Sequence, residues 1–132
     1  MDFNLSTGMS AKTELTVELK DTAFAFGSGG VKVLATPMMV SIMENAALKA
    51  VDYNLPEGYA TVGTHLDVKH IAATPVGMKV SAEAELIKVE GKKLLFKILA
   101  HDEKEKIGEG THSRYIIQIN SFIEKTNEKT RP

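Results

Sequence analysis

The sequence predicts an α+β protein in which a curved antiparallel β-sheet of about five strands wraps around one long central helix. Three observations lead to this fold class. Apolar and polar residues alternate in five segments, which is the period of half-buried strands. One segment between the first two of them repeats its apolar residues at three- and four-residue steps, as a helix does. Short connections join the last four strands, which favours antiparallel pairing.

Residues 12–19 predict the first strand, and the segment that begins at Thr36 predicts the helix. Thr36 and Pro37 follow a glycine-rich stretch, and this pair is typical of an N-cap and a first-turn proline. The helix is therefore predicted to begin at Pro37 and to end before the turn signals at residues 54–58. Its apolar face is broad and rich in small residues: Met38, Met39, Ile42, Met43, Ala46, Ala47 and Ala50.

The rest of the chain predicts four strands and a polar tail. One helix covers only one face of such a sheet, and free edge strands need protection, so dimerisation is physically reasonable. The tail, residues 124–132, is charged and nearly free of apolar residues, which predicts disorder. Residues 1–123 are then a single domain. The four strands are predicted at residues 59–71, 78–86, 94–100 and 107–119.

Composition excludes several classes of function. The chain has 132 residues, 43% of them hydrophobic, which suits one domain with a real core. Sixteen basic and seventeen acidic residues form no basic stripe, so no nucleic-acid partner is expected. No segment reaches the roughly 20 apolar residues that span a bilayer, and the N-terminus does not read as a signal peptide. With no cysteine in addition, the predicted location is the cytoplasm.

Three residues could carry chemistry: Thr36, Glu44 and His70. Glu44 is the only charge between Lys32 and Lys49, in the middle of the predicted helix. Burial there would raise the pKa of its carboxyl group toward neutral pH. A hydroxyl, a carboxylate and an imidazole together are able to activate water or a nucleophile. The trio is therefore a candidate catalytic set.

Each member of the trio also has a purely structural explanation. Thr36 is sufficiently explained as an N-cap, although a hydroxyl there would also lie beside free backbone N–H groups that stabilise an oxyanion. Glu44 would fit the exposed edge of the helix. A lone histidine such as His70 is more often structural, and its side chain is expected to share a strand face with three apolar residues: Val62, Leu66 and Val68.

Three glycines and an arginine on the later strands are further candidates. Gly63 interrupts a strand, which often marks the close approach of a backbone or a ligand. Gly108 and Gly110 leave one strand face bare, and we favour room for the helix as the reason. Arg114 follows His112 by two residues and is able to hold a phosphate, although a solvent salt bridge is the default. The histidines lack metal-site spacing, so no metal or cofactor is expected.

Three segments carry a resemblance to a known family: ATPMMVSIMENAA, VGTHLDVKHIAATPVG and VEGKKLLFKILAHDEKEKIGEGTHSRYII. In these segments, which fall between about Val33 and Ile119, the chain resembles the hotdog-fold acyl-CoA thioesterases, and within them the fluoroacetyl-CoA thioesterase-like group. The resemblance implies a hotdog fold, an acyl-CoA substrate and a homodimer or a dimer of dimers.

The resemblance also implies a role for each candidate residue. Thr36 is the nucleophile or a hydrogen-bond donor to the acyl group, Glu44 is the base or the nucleophile's partner, and His70 polarises a group or relays the proton. These three residues meet at the dimer interface in the family. Gly63 matches a position whose backbone approaches the acyl carbonyl. Arg114 matches an arginine that meets the phosphates of coenzyme A.

One segment departs from the family pattern. The fluoroacetate-selective member has aromatic residues before the catalytic threonine, where they form a lid over a small acyl group, whereas this chain has GSGGVKVLATP. A more open pocket and another short or medium acyl-CoA substrate are therefore expected. The alternative is a non-catalytic module that binds an acyl-CoA or acyl-carrier thioester. The aspartate and histidine motif of hotdog hydratases is not seen.

Overall fold

A computed structural model describes residues 2–132 of the chain. It confirms the predicted order of one strand, one long helix and four strands. The predicted helix begins one residue earlier than expected, at Thr36, and the first strand is shorter at its C-terminal end. The elements are β1 (Ser10–Thr16), α1 (Ala23–Phe26), α2 (Thr36–Val51), β2 (Tyr59–His70), β3 (Lys79–Glu90), β4 (Lys93–Asp102), β5 (Lys106–Gln118) and α3 (Ile119–Asn127).

The five strands form one antiparallel sheet in the order β1-β3-β4-β5-β2. Strands β1 and β2 flank α2 in sequence but lie at opposite edges of the sheet, so the helix crosses the sheet between them. Strand β2 pairs with β5 on one side, and the described residues offer no strand on the other. The sheet therefore keeps a long free edge at β2.

Helix α2 packs against one face of the sheet and forms the core with it. Alanines on both partners let the helix come close, since Ala46 and Ala47 on the helix and Ala82 and Ala84 on β3 are all buried. Burying each larger apolar side chain stabilises the fold by about 1.5–3 kcal/mol. The largest of the fully buried side chains include Phe96, Leu34, Met39, Met43, Leu86, Leu94 and Ile98.

The two glycines of β5 make room for different neighbours. A Cβ on Gly108 would lie 2.5 Å from the sulfur of Met39, so this glycine accommodates α2 as expected. A Cβ on Gly110 would instead lie 2.0 Å from the backbone oxygen of Asp67 in β2. The helix is therefore the wrong explanation for Gly110, whose lack of a side chain permits close pairing of the two strands.

A β-bulge in β2 changes which side chains face the helix. Gly63 pairs with Arg114 and His65 pairs with Ser113, so Thr64 is an extra residue on β2. Directly opposed residues point to the same face, and the extra residue reverses the alternation. His70 shares its face with Leu66 and Val68, as predicted. The expectation that Val62 lies on that face is wrong, because it precedes the bulge: Val62 opposes Tyr115, whereas Leu66, Val68 and His70 oppose His112, Gly110 and Gly108.

The C-terminal segment differs from the sequence prediction. Strand β5 ends at Gln118, and helix α3 then runs through Asn127, into the tail for which disorder was predicted. The side chain of Gln118 accepts a hydrogen bond from the Ser121 N–H at 2.8 Å and caps this helix. Ile119, Phe122 and Ile123 recur at helical spacing just before the polar tail, a repeat too short to predict a helix from the sequence. No helix within residues 2–132 combines the length and hydropathy of a membrane span.

The space at Gly110 predicts a large effect on stability. We expect Gly110→Ala to lower the free energy of unfolding by about 2–4 kcal/mol, because its Cβ would collide with the β2 backbone. Chemical denaturation of both proteins measures the difference. Gly30→Ala is the matched control, since a Cβ there would meet no atom within 4 Å. Equal stability of the two variants would contradict the strand pairing described here.

Candidate active site

Thr36 contacts His70 directly. The N-cap of α2 is Ala35, and the first helical residue, Thr36, makes no side-chain cap. Its Oγ1 lies instead 2.7 Å from Nδ1 of His70. The explanation of Thr36 as an N-cap is therefore wrong, and two of the three predicted residues meet within one chain.

Burial sets the protonation state of His70. It lowers the pKa of His70 by disfavouring the imidazolium, an effect that the nearby Ala72 backbone opposes in part. His70 Nε2 is buried and has no hydrogen-bond partner among residues 2–132. The Ala72 backbone group is therefore near the ring but does not form a hydrogen bond with it. A neutral ring with its proton on Nε2 leaves Nδ1 free to accept a proton from the Thr36 hydroxyl.

A cleft of about 380 Å³ opens beside this pair. Thr36 and His70 both line it, and Thr36 itself is exposed. Most other lining residues are apolar, which suits an acyl or pantetheine chain with the hydroxyl and imidazole at one end. The lining residues of this kind are Ala23, Val33, Leu34, Pro37, Ile71, Ala72 and Ala73.

Two aromatic residues that the sequence prediction overlooked lie in sequence between two residues that line the cleft. Phe24 and Phe26 belong to helix α1, which directly precedes the glycine-rich segment, and they are 56% and 47% exposed. Lys32 lies over the Phe24 ring, with Nζ 5.5 Å from its centroid. The neighbouring residues Ala23 and Ser28 line the cleft. The chain therefore has aromatic residues before Thr36, but none between Phe26 and Thr36.

The first turn of α2 offers fewer free N–H groups than expected. Pro37 has none, and the N–H groups of Met38 and Met39 both donate to the carbonyl oxygen of Ala35 at 3.0 Å. The expected row of free donors for an oxyanion is therefore reduced at this helix terminus.

Glu44 lies in a second group, two turns further along α2. Its side chain is half-buried and faces the sheet, so an exposed helix edge is the wrong description. A Cβ on Gly63 would lie 3.1 Å from Glu44 Oε2, 3.1 Å from His112 Cε1 and 3.5 Å from Arg114 Nη1. The absent side chain of Gly63 thus leaves space where a carboxylate, an imidazole and a guanidinium converge.

Arg114 is buried rather than exposed. It is 5% exposed, and its Nε and Nη2 donate to the side chain and carbonyl oxygen of Thr61 at 2.7 and 2.9 Å. Burial lowers the pKa of Arg114, whereas Asp52 and Glu44 oppose the effect, and the guanidinium stays charged. The solvent salt bridge considered from the sequence is therefore wrong. A buried guanidinium also gives no support to the expected contact with coenzyme A phosphates.

His112 belongs to this second group, although it received no role from the sequence. It is 1% exposed, its Nδ1 donates to the His65 carbonyl oxygen at 2.8 Å, and burial lowers its pKa. The two-residue step from His112 to Arg114 already predicts a shared face. The pairing of Arg114 with Gly63 requires the register of β5 against β2, which a single sequence does not contain.

The two groups lie apart in one chain. Thr36 and Glu44 are eight residues apart on α2, a rise of about 12 Å. Along β2, Gly63 and His70 are separated by roughly 20 Å of extended strand. One chain therefore holds a Thr36–His70 group at the C-terminal end of its edge strand and a Glu44–Gly63 group in the first half of that strand. Within residues 2–132, no three His, Asp or Glu side chains form a cluster that could hold a metal ion.

Comparison with known proteins identifies the family. Residues 17–120 match the family model for fluoroacetyl-CoA-specific thioesterases. A fluoroacetyl-CoA thioesterase from Streptantibioticus cattleyicolor is 42% identical over 99 residues, which cover 75% of this chain and 71% of the relative.

Solved structures give the same result. A fluoroacetyl-CoA thioesterase is 33% identical and superposes with a TM-score of 0.89, over 96% of this chain and 98% of the other. A hypothetical protein of the thioesterase superfamily from Thermus thermophilus is 27% identical, with a TM-score of 0.86 over 96% and 93%.

The fold and these matches define a class: the protein is a hotdog-fold acyl-CoA thioesterase, a thioester hydrolase. The chain belongs to the fluoroacetyl-CoA-specific thioesterase family.

The environment of His70 predicts how it titrates. We expect an NMR titration of the His70 ring to give a midpoint below the ordinary value of about 6.5, because burial opposes protonation. The neutral base then persists below pH 7, and the acid limb of kcat/KM follows the same midpoint. The same titration in urea supplies the unfolded reference. A folded midpoint at or above that reference would contradict the burial of this ring.

Proposed function

We propose that the protein hydrolyses a short or medium acyl-CoA thioester at a site shared by two subunits. The 2.7 Å contact between Thr36 Oγ1 and His70 Nδ1 carries this proposal, because it pairs a hydroxyl with a neutral base beside an apolar cleft. Glu44 completes the catalytic set from the other subunit.

The reaction takes place in two steps. Thr36 Oγ1 attacks the thioester carbonyl carbon while His70 Nδ1 takes the hydroxyl proton. The carbon–sulfur bond then breaks, and coenzyme A leaves as a thiolate, which is a good leaving group. Water next attacks the threonine ester, and Glu44 of the partner subunit takes a proton from that water. The carbon–oxygen bond to Thr36 then breaks, His70 returns its proton to the Thr36 oxygen, and Glu44 releases its proton to the solvent. The products are the free acid and coenzyme A.

The free edge of β2 supplies the argument for a second subunit. Two copies of β2 that pair antiparallel about a two-fold axis bring together residues equidistant from the axis. With the axis at Asp67, His70 of one strand opposes Gly63 of the other, because the extra residue of the bulge lies between Gly63 and the axis. Both positions oppose the buried face of β5 in their own chain, so their side-chain directions agree. In such a homodimer, the Thr36–His70 group of each subunit meets the Glu44–Gly63 group of the other, so the dimer has two complete sites.

The substrate assignment rests on the cleft. Its volume of about 380 Å³ suits a short or medium acyl group together with part of the pantetheine chain. Gly63 has no side chain, so its backbone is able to approach the thioester closely. Phe24 and Phe26 belong to α1 rather than to the glycine-rich stretch, and neither is among the residues that line the cleft. This arrangement supports a wider choice of acyl groups than fluoroacetyl alone. A dimer of dimers and a cytoplasmic location remain predictions.

Mixed dimers test whether the site is shared. We expect Thr36→Val and Glu44→Gln each to lower kcat by at least about 100-fold as homodimers. Co-expression should restore roughly one quarter of wild-type activity, because half of the dimers then hold one intact site of two. Acyl-CoA hydrolysis, followed by thiol release from purified mixtures, measures the recovery.

A second mixture is the matched control. Thr36→Val with His70→Ala should restore nothing, because Thr36 and His70 contact each other within one chain. Recovery in this control, or no recovery with Glu44→Gln, would contradict the shared site.

A further inference from the structure

We propose that Thr61 and His112 are positioning residues that fix the Arg114 guanidinium beside Glu44 and Gly63. This inference rests on the proposed function, because it assigns a purpose to the surroundings of Glu44. Neither residue touches the cleft beside Thr36 and His70. Both act through Arg114.

Thr61 holds one side of the guanidinium. Its hydroxyl donates to Asp52 Oδ1 at 2.5 Å, and its N–H donates to Asp52 Oδ2 at 3.1 Å. With its proton directed at Asp52, the hydroxyl oxygen is left to accept from Arg114 Nε at 2.7 Å. The carbonyl oxygen of Thr61 accepts from Nη2 at 2.9 Å. Asp52 thus orients a hydroxyl that in turn orients the arginine.

His112 holds the other side. Its Nδ1–H donates to the His65 carbonyl oxygen at 2.8 Å, which fixes the tautomer and leaves Nε2 as an acceptor. Arg114 Nη1 donates to this Nε2 at 3.2 Å. The acceptor for His112 is a backbone group directly after the β2 bulge. The bulge is therefore part of the arrangement that directs Arg114.

All three nitrogens of the Arg114 guanidinium donate hydrogen bonds, so the network fixes the orientation of the group. A free arginine samples many rotamers, whereas this one presents Nη1 toward the space over Gly63. Glu44 Oε2 borders the same space, so the fixed positive charge constrains where the carboxylate lies. If the acceptor on Thr61 or on His112 were lost, the Arg114 guanidinium would be free to move, and the Glu44 carboxylate would move with it.

Two substitutions at Thr61 separate positioning from packing. Thr61→Val keeps the shape but removes the hydroxyl, and we expect kcat to fall about 10- to 100-fold with KM changed less than about 3-fold. Thr61→Ser keeps the hydroxyl, and kcat should stay within about 3-fold of wild type despite the lost methyl group. Similar kcat values for these two variants would overturn the role of Thr61.

His112 allows a second matched pair. The glutamine amide is able to replace Nε2 as the acceptor for Arg114, whereas the asparagine amide replaces only the Nδ1 donor to His65. We expect His112→Gln to retain most of the wild-type kcat and His112→Asn to lose it. The opposite order, or an equal loss, would overturn the role of His112.

Arginine NMR gives a readout that does not depend on activity. The chain has only two arginines, Arg114 and Arg131, so Arg131→Lys leaves a single side-chain Nε–H signal. In that background we expect slow solvent exchange of the Arg114 Nε–H, at least about 10-fold faster exchange in Thr61→Val, and recovery in Thr61→Ser. Fast exchange in the parent protein would overturn the proposal.

The experiment distinguishes this inference from the proposed function. If Glu44→Gln leaves kcat unchanged, the catalytic role of Glu44 fails, and the positioning role fails with it. If Glu44→Gln is inactive but Thr61→Val and His112→Asn have wild-type kcat, only the positioning role fails.

Discussion

The packing of helix α2 against the sheet is the constraint on which the remaining structure depends. Alanines on the helix and on β3 allow this close contact, and Gly108 leaves room for Met39. The helix thereby brings Thr36 to the end of β2 that carries His70, and Glu44 to the stretch that carries Gly63. If the helix lay further from the sheet, Thr36 would be separated from His70, and Glu44 from Gly63. The contacts that pack the core therefore also set the geometry of the candidate site.

Much of the fold could be predicted from the sequence, because its signals are local. Alternation located the strands after the helix to within a few residues, and Thr36-Pro37 located the helix start to within one. The face of Val62 was predicted wrongly, because Gly63 was interpreted as a site of close approach, whereas it stands beside an extra residue that reverses the alternation of β2. Helix α3 was not predicted, because its apolar residues lie between the strand pattern and the polar tail and form only a short helical repeat.

The candidate site was only partly predictable for a related reason. The pattern around Thr36 fits an N-cap, and only the tertiary contact with His70 removes that explanation. Arg114 looked like a surface residue because its partner Thr61 is 53 positions away in sequence. His112 lacked a distinctive spacing, and its importance comes from the strand register. Residues that depend on pairing between distant segments are those that a single sequence describes least well.

We propose that a second subunit takes part in the chemistry, because Thr36 and His70 lie apart from Glu44 in one chain. A crystal structure with a non-hydrolysable 2-oxoalkyl thioether of coenzyme A, in which a methylene group separates the sulfur from the carbonyl group, tests this claim most directly. We expect the analogue's carbonyl group to lie beside Thr36 and His70 of one chain, with Glu44 of the partner subunit within hydrogen-bond reach of that carbonyl group or of a water molecule beside it. A structure in which β2 edges are unpaired, or in which Glu44 of the same chain fills that place, would contradict it.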